Sequence, residues 1–159
     1  MQDFDSLYRE YAPRVYRFAL GLSANPAVAE DITAETFVRV WTTRERLRHE
    51  TARAFLFAIA RNLFLQGVRA AWRQQPLGAD DTAEGPGPDA VALDRVELER
   101  TLARLARLEP EDRAALLMRA EEDMSYEEIG QALGTSAGAA RVRVHRARRR
   151  LQAAIAMGR

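Results

Sequence analysis

The stretch that decides the fold is Ser125-Tyr126-Glu127-Glu128-Ile129-Gly130-Gln131-Ala132-Leu133-Gly134-Thr135-Ser136. Ser125 and Glu128 stand three residues apart, which is the spacing of a capping box at the start of a helix. Gly134 is typical of a helix end, because glycine takes the left-handed backbone conformation at little steric cost. We therefore predict a helix over 126–133, a turn at Gly134 and a second helix beyond it, which is the helix-turn-helix pattern.

The second of these helices has two contrasting faces. Thr135 or Ser136 is expected to cap it, and it is predicted to run to about Ile155. Its buried stripe consists of Ala140, Val144, Ala147 and Leu151. The opposite face is centred on Gly138, Val142, His145 and Arg149, with Arg141 and Arg146 on its flanks. Small residues inside and arginines outside indicate a helix that enters a DNA major groove, although a solvated arginine-rich helix is the alternative.

Each residue of the outward face has an expected role in that groove. Arg141 and Arg146 are predicted to reach base edges, preferably guanine, and Val142 to touch a thymine methyl group. Arg149 and Arg150 are predicted to hold phosphates. The predicted DNA-contacting set is Ser136, Gly138, Arg141, Val142, His145, Arg146, Arg149 and Arg150.

The rest of the chain also has helical periodicity, so the predicted fold class is all-α. An apolar stripe runs from Phe4 to Leu22, and Pro13 is expected to kink or divide that helix. Further helices are predicted to begin at Asn25-Pro26, with Val28 and Trp41 among the inward residues, and near Thr51. A fourth contains Val96, Leu98, Leu102, Leu105 and Leu108, and a fifth starts at Pro110.

Between these helices, residues 74–89 hold three prolines, three glycines and four acids. The apolar residues there follow neither helical nor strand periodicity, which indicates a linker. We predict two small helical domains, at residues 1–74 and 94–159, joined by a flexible acidic linker at 75–93 that lets them move independently.

Composition narrows the function classes. The 159 residues include no cysteine and only two histidines, which excludes disulfides and thiolate or histidine-rich metal sites, and no cofactor is expected. No apolar run approaches the ~20 residues needed to cross a bilayer, and the polar, acidic N-terminus is unlike a signal peptide, so a cytoplasmic location is expected.

The basic residues are all arginine and fall into two blocks. Residues 39–73 carry eight arginines and two acids, and residues 141–159 carry seven arginines and no acid, within a chain of net charge +1. In the first block, arginines alternate with Phe55, Phe57, Phe64 and Trp72, which suits single-stranded DNA. The alternative is that most of these rings are core, which the spacing favours for Phe55 and Phe64.

Asp31 and Glu35 lie one helical turn apart. A general acid and base is one interpretation, but no cofactor motif or pocket signature accompanies the pair. A docking face for a basic partner, or simply a solvated acidic face, is favoured, and no catalytic residue is predicted.

Three segments in order resemble the bacterial sigma-70 family of RNA polymerase factors. Residues 29–41 (AEDITAETFVRVW) resemble the helix that docks on the polymerase clamp, and residues 55–63 (FLFAIARNL) the −10-reading and melting segment. Residues 108–148 resemble the −35-reading domain through Leu108-Glu109-Pro110, Ser125–Gly130, Leu133-Gly134 and His145-Arg146-Ala147-Arg148. Order and spacing match the small extracytoplasmic-function (ECF) group.

The resemblance implies a sigma factor that directs promoter-specific initiation, with the polymerase doing the chemistry. Its implied partners are core RNA polymerase, promoter DNA and an anti-sigma factor. It places polymerase docking on Asp31, Ala34, Glu35 and Val38, and −10 or single-strand contacts on Arg48, Arg53, Arg61, Asn62, Gln66, Arg69 and Arg73. The acidic linker would thread the RNA exit path. A plain helix-turn-helix repressor or activator is the alternative, but it leaves the arginine–aromatic block and Asp31/Glu35 without roles.

Overall fold

The computed structural model describes residues 3–48, 51–74 and 92–157. Within these ranges it describes the backbone, but not the side chains, of residues 69, 71–74, 92 and 93. Seven α-helices and no strand lie within those residues, which confirms the all-α prediction. The helices are α1 (Phe4–Ser23), α2 (Pro26–Thr42), α3 (Ala52–Gln74), α4 (Ala92–Leu105), α5 (Pro110–Glu122), α6 (Tyr126–Leu133) and α7 (Ala137–Met157).

The first helix is continuous, so the expected division at Pro13 is wrong. Asp3 caps α1 by accepting a hydrogen bond from the Ser6 backbone N–H at 2.7 Å. Pro13 removes one backbone donor, but it lies on the exposed side of the helix, where water can satisfy the carbonyl left over. The helix ends at Ala24 in the left-handed conformation, with φ 55°.

Helices α1, α2 and α3 pack into the N-terminal half. Asn25 caps α2 with its side chain, and Pro26 occupies the first turn, as the sequence predicts. Phe18 of α1 meets Phe57 of α3 edge-on with ring centroids 4.9 Å apart, and both rings are fully buried.

Three apolar residues that the pattern placed inside are exposed. Val28 and Trp41 of α2 and Phe55 of α3 each keep a third to a half of their surface accessible. Trp41 is held instead at the surface, between the edge of Phe4 and the guanidinium of Arg44, which stacks 3.6 Å from the ring centroid. Phe64 is buried, as expected.

The predicted linker, 75–93, lies outside the described residues from 75 to 91. Its last two residues, 92 and 93, belong to α4, so the helix begins earlier than predicted. Along α4, Val96 and Leu98 are exposed, whereas Leu105 is buried. The stripe therefore meets the core only at the end of the helix.

The helix-turn-helix forms as the sequence predicts. The capping box is complete: Ser125 Oγ accepts from the Glu128 N–H, and Glu128 Oε1 accepts from the Ser125 N–H, both at 3.1 Å. Gly134 closes α6 with φ 70°, and Ser136 caps α7 by accepting from the Ala139 N–H. Gly130 is required by space, because a Cβ there would lie 2.7 Å from the Thr135 carbonyl oxygen.

The two halves pack against each other through α1 with α5 and α3 with α6. The two halves approach closely at Gly21, where a Cβ would lie 2.8 Å from Leu117 Cδ1. Arg113 of α5 reaches across and donates to the carbonyls of Leu22 and Leu108. Its guanidinium is buried and has no carboxylate partner among the residues that the structure describes, and burial lowers its pKa.

Candidate nucleic-acid interface

The outward face of α7 is open to solvent. Ala140, Val144 and Ala147 are fully buried against α5 and α6, which fixes the opposite side of the helix outward. Val142 is 57% exposed. The other exposed members of the predicted set are Ser136, Gly138, Arg141, His145, Arg149 and Arg150. The helix therefore presents the face that the sequence assigns to the major groove.

Two members of that set already lie against a carboxylate of the protein. Arg150 Nη1 is 3.7 Å from Asp112 Oδ2, and Arg146 makes the closer contact. Its Nε and Nη2 donate to Asp112 Oδ2 and Oδ1, each at 2.8 Å. Because of this two-point contact, the Arg146 guanidinium that was predicted to read guanine is already bound to a carboxylate of the same protein. Arg141, on the other flank, is exposed and forms no ion pair within the described residues.

The Asp112 carboxylate is fully buried at the junction of α5 and α7. The hydrogen bonds from Arg146 lower its pKa below the ordinary value of 3.8, and the charges of Arg143 and Arg150 add to that effect. Burial alone would raise the pKa, so the three arginines keep the carboxylate ionised. Nothing in the sequence pattern marked Asp112, since an acid in a first helical turn is ordinary.

Two of the arginines predicted to hold single-stranded DNA are paired with carboxylates of the C-terminal half. Arg53 contacts Glu128 at 2.8 Å, and Arg61 donates to Glu111 through both Nε and Nη2. A third pair joins Arg14 Nε to Glu122 at 2.8 Å. The acids therefore cover part of the surface that the charge pattern assigned to a polyanion.

Glu128 belongs to both the capping box and this inter-half contact. Partial burial works to raise its pKa, but the hydrogen bonds from Arg53 and from the Ser125 N–H outweigh that effect. The pKa ends below the ordinary value of 4.5, so the carboxylate is ionised at neutral pH.

Among the other predicted strand contacts, those whose side chains the structure describes are not paired with these acids. Arg48, Asn62 and Gln66 are exposed, and Asn62 accepts a hydrogen bond from the neighbouring Arg61. The side chains of Arg69 and Arg73 lie outside those that the structure describes, as do residues 49 and 50 of the connection before α3.

The predicted docking residues form one exposed strip along α2. Asp31, Ala34, Glu35 and Val38 are all accessible to solvent. Asp31 and Glu35 also border a groove of about 460 Å³ between α2 and α3. Its apolar lining includes Ile32, Leu63, Phe64 and Val68. The strip thus combines two carboxylates with an apolar recess that the sequence pattern did not reveal.

Two family models match the chain, one on each half. Sigma-70 region 2 matches residues 7–74, and sigma-70 region 4 matches residues 98–151. The chain belongs to the sigma-70 family, in its ECF group. The region 2 match covers the predicted docking residues of α2 and the predicted strand contacts, and the region 4 match covers the helix-turn-helix.

Two curated ECF sigma factors are similar to this chain along most of its length. The ECF RNA polymerase sigma factor SigE of Mycolicibacterium smegmatis is 40% identical over 96% of this chain, which spans 61% of that protein's length. SigL of Mycobacterium tuberculosis H37Rv is 35% identical over 92% of this chain and 85% of its own.

Solved structures share the fold. The sigma factor RpoE from Bartonella quintana, in complex with the anti-sigma factor NepR, matches all of both chains with a TM-score of 0.79 at 26% identity. CnrH, in complex with the cytosolic domain of CnrY, matches 97% of this chain and 88% of its own with a TM-score of 0.74. At 24% identity, the second likeness concerns the fold alone.

The described residues contain neither a membrane-spanning helix nor a cluster of side chains that could hold a metal ion. None of the helices there has the length and apolarity to span a membrane. In the same part of the chain, no group of three or more histidine, aspartate or glutamate side chains is arranged to hold a metal ion.

Proposed function

We propose that the chain is a promoter-specificity subunit, which binds core RNA polymerase through its N-terminal half and reads promoter DNA with both halves. The observation that carries the proposal is the exposed outward face of α7, behind a helix-turn-helix whose caps are complete. In this proposal the polymerase performs the chemistry, so the chain needs no catalytic group of its own.

The docking strip on α2 supplies the contact with the polymerase. Asp31 and Glu35 offer exposed carboxylates to a basic surface. Val38, which is 57% exposed, adds an apolar side chain to the same strip. Charge complementarity of this kind selects a partner and speeds association. The recess beside the two carboxylates gives the same face a place for an apolar side chain of the polymerase.

In this proposal, the outward face of α7 contacts the DNA duplex at the −35 element. Arg141 has a free planar fork, which can bond both acceptors of a guanine edge. Val142 can contact a thymine methyl group, and Arg149 can hold a backbone phosphate. Since Arg146 is held by Asp112, we assign base reading on the flanks to Arg141 alone.

Strand binding at the −10 element requires an exchange of partners. Arg53 and Arg61 can hold phosphates of an opened strand only after they leave Glu128 and Glu111. The carboxylates thus occupy the positions that phosphates would take. We propose that docking on the polymerase separates the halves, so that DNA replaces these two carboxylates while unstacked bases find aromatic partners.

Regulation by an anti-sigma factor is proposed from the likeness to RpoE, which was solved with NepR. A cytoplasmic location follows from the same proposal, because both core polymerase and promoter DNA are found there. The residues of this chain that such a partner would contact are not assigned.

The proposal is tested by transcription from a reconstituted system. Core polymerase with the wild-type chain should initiate from a promoter obtained by sequencing transcripts after overexpression. Core polymerase alone should not initiate there. A chain that binds duplex but neither associates with core polymerase nor supports initiation contradicts the proposal and favours a repressor.

A further inference from the structure

Three arginines of the recognition helix α7 converge on one carboxylate of α5. Asp112 is 0% exposed, and Arg146 donates two hydrogen bonds of 2.8 Å to its carboxylate. Arg143 and Arg150 approach the same carboxylate to 3.5 and 3.7 Å. Their spacing of three and four residues places all three arginines in a single row along one flank of the helix.

That row lies between the buried and the outward faces. At about 100° per residue, Arg143 lies roughly 70° from the centre of the buried stripe and Arg146 roughly 70° from the centre of the outward face, with Arg150 between them. The fully buried members of the stripe are Ala140, Val144 and Ala147, and Leu151 packs on the core while partly exposed. Two alanines and a valine offer little relief to interlock with neighbouring helices. Apolar packing alone therefore leaves the rotation of α7 about its axis weakly defined.

We infer that Asp112 is a positioning residue, which fixes the rotation of the recognition helix and so sets DNA sequence specificity without touching DNA. The inference rests on the proposed reading of the −35 element by α7. Because the carboxylate holds one flank, Val142 and His145 point to the groove, and Arg141 stays on the free flank.

Asp112 has a second effect on specificity through charge. While Arg143, Arg146 and Arg150 are engaged with the carboxylate, their attraction for DNA phosphates is reduced. Arginines released from it would bind phosphates of any sequence. Each new phosphate contact steepens the salt dependence of binding by about 0.9 in the logarithmic slope.

The test compares Asp112→Asn with the wild type on two DNA duplexes. One duplex is enriched from a random pool by the wild-type chain bound to core polymerase, and the other is a scrambled sequence of the same composition. We expect the ratio of the two affinities to fall about tenfold, which is the discrimination of one base contact. Affinity for the scrambled duplex should rise, with a steeper salt slope.

Glu109→Gln is the matched control, because it removes one exposed carboxylate whose charge also acts on Arg146 but which makes no ion pair with it. The control should keep the wild-type ratio and slope. Arg146→Lys is the second test variant, since it retains the charge and loses the planar two-point contact. It should lower the ratio in the same direction.

The outcomes are distinct. If Asp112→Asn melts cooperatively and keeps the wild-type ratio and slope, the role assigned to Asp112 is overturned. If Asp112→Asn does not fold, the same result from Arg146→Lys overturns it. A wild-type chain that enriches no duplex contradicts the proposed function itself, and the inference fails with it.

Discussion

Arg53 of α3 and Glu128 of α6 form an ion pair that joins the N-terminal half to the cap of the helix-turn-helix. Arg53 Nη2 lies 2.8 Å from Glu128 Oε1, and Nε lies 3.0 Å from Oε2. The same carboxylate accepts the Ser125 N–H that completes the capping box. One side chain thus stabilises the helix-turn-helix and neutralises an arginine that we propose binds the opened strand.

The double variant Glu111→Gln with Glu128→Gln should raise the affinity of the free chain for a short oligothymidylate. It releases Arg61 and Arg53, while glutamine at 128 still satisfies the capping box. Two partly exposed ion pairs together contribute about 1 kcal/mol, which corresponds to an increase of roughly fivefold. Fluorescence anisotropy measures the change, with no polymerase present.

The matched control for that variant is Glu121→Gln with Glu127→Gln. It makes the same change in net charge at exposed residues next to the inter-half acids. Its affinity should rise only by the general gain in positive charge. Equal increases in the two variants would contradict the claim that Glu111 and Glu128 cover the strand-binding arginines.

A steric variant tests the contact between the halves without altering any charge. Gly21→Met places a side chain where a Cβ already meets Leu117 at 2.8 Å, so α1 and α5 should separate. Since the chain contains no cysteine, Thr42→Cys and Gln152→Cys give two unique labelling positions. Energy transfer between the dyes should fall in the variant. Unchanged transfer in a cooperatively folded Gly21→Met chain would contradict the packing.

Docking on the polymerase should depend on the carboxylates of the α2 strip. Asp31→Asn with Glu35→Gln is expected to weaken binding of core polymerase by about 1 kcal/mol, because exposed charge pairs contribute at that level. Glu30→Gln, one residue away and also exposed, is the control. If the control weakens binding as much as the double variant does, the strip is not the docking face.

The two flanks of the recognition helix should respond differently to alanine. Arg141→Ala should lose about 1–3 kcal/mol on the enriched duplex and little on the scrambled one, with the melting temperature unchanged. Arg146→Ala should instead lower the melting temperature, because it strips the buried Asp112 of its two-point partner. A reversal of these two patterns would contradict the assignment of base reading to Arg141.

Acid should destabilise the C-terminal half through Asp112 and Glu128. The pKa of each is lowered in the folded chain, so the unfolded chain binds protons first as pH falls. Their stabilisation is therefore complete above the unfolded values of about 4 and is lost as pH drops through the lower folded values. Melting curves between neutral pH and about pH 3 measure it, and Asp112→Asn should show a flatter dependence.

The sequence predicted most of what depends on local pattern. The capping box at Ser125 and Glu128, the turn at Gly134 and the outward face of α7 follow from spacing alone, and all were found. Capping residues carry this information because their hydrogen bonds join groups only three residues apart.

What the sequence missed depends on residues that are distant along the chain. Asp112 and Arg146 are separated by 34 positions, and Arg53 and Glu128 by 75, so no periodicity links them. The exposure of Trp41 also escaped prediction, since an apolar stripe does not show that Arg44 will stack on the ring at the surface.

Permanganate mapping of unpaired thymines tests the central claim most directly. The wild-type chain with core polymerase should make thymines in the −10 region of the selected promoter reactive, and neither component alone should do so. The quadruple variant Arg48→Gln, Arg53→Gln, Arg61→Gln and Asn62→Ala should bind core polymerase and leave those thymines protected. Duplex binding by the chain alone, with no reactive thymines in the presence of core polymerase, would contradict the account.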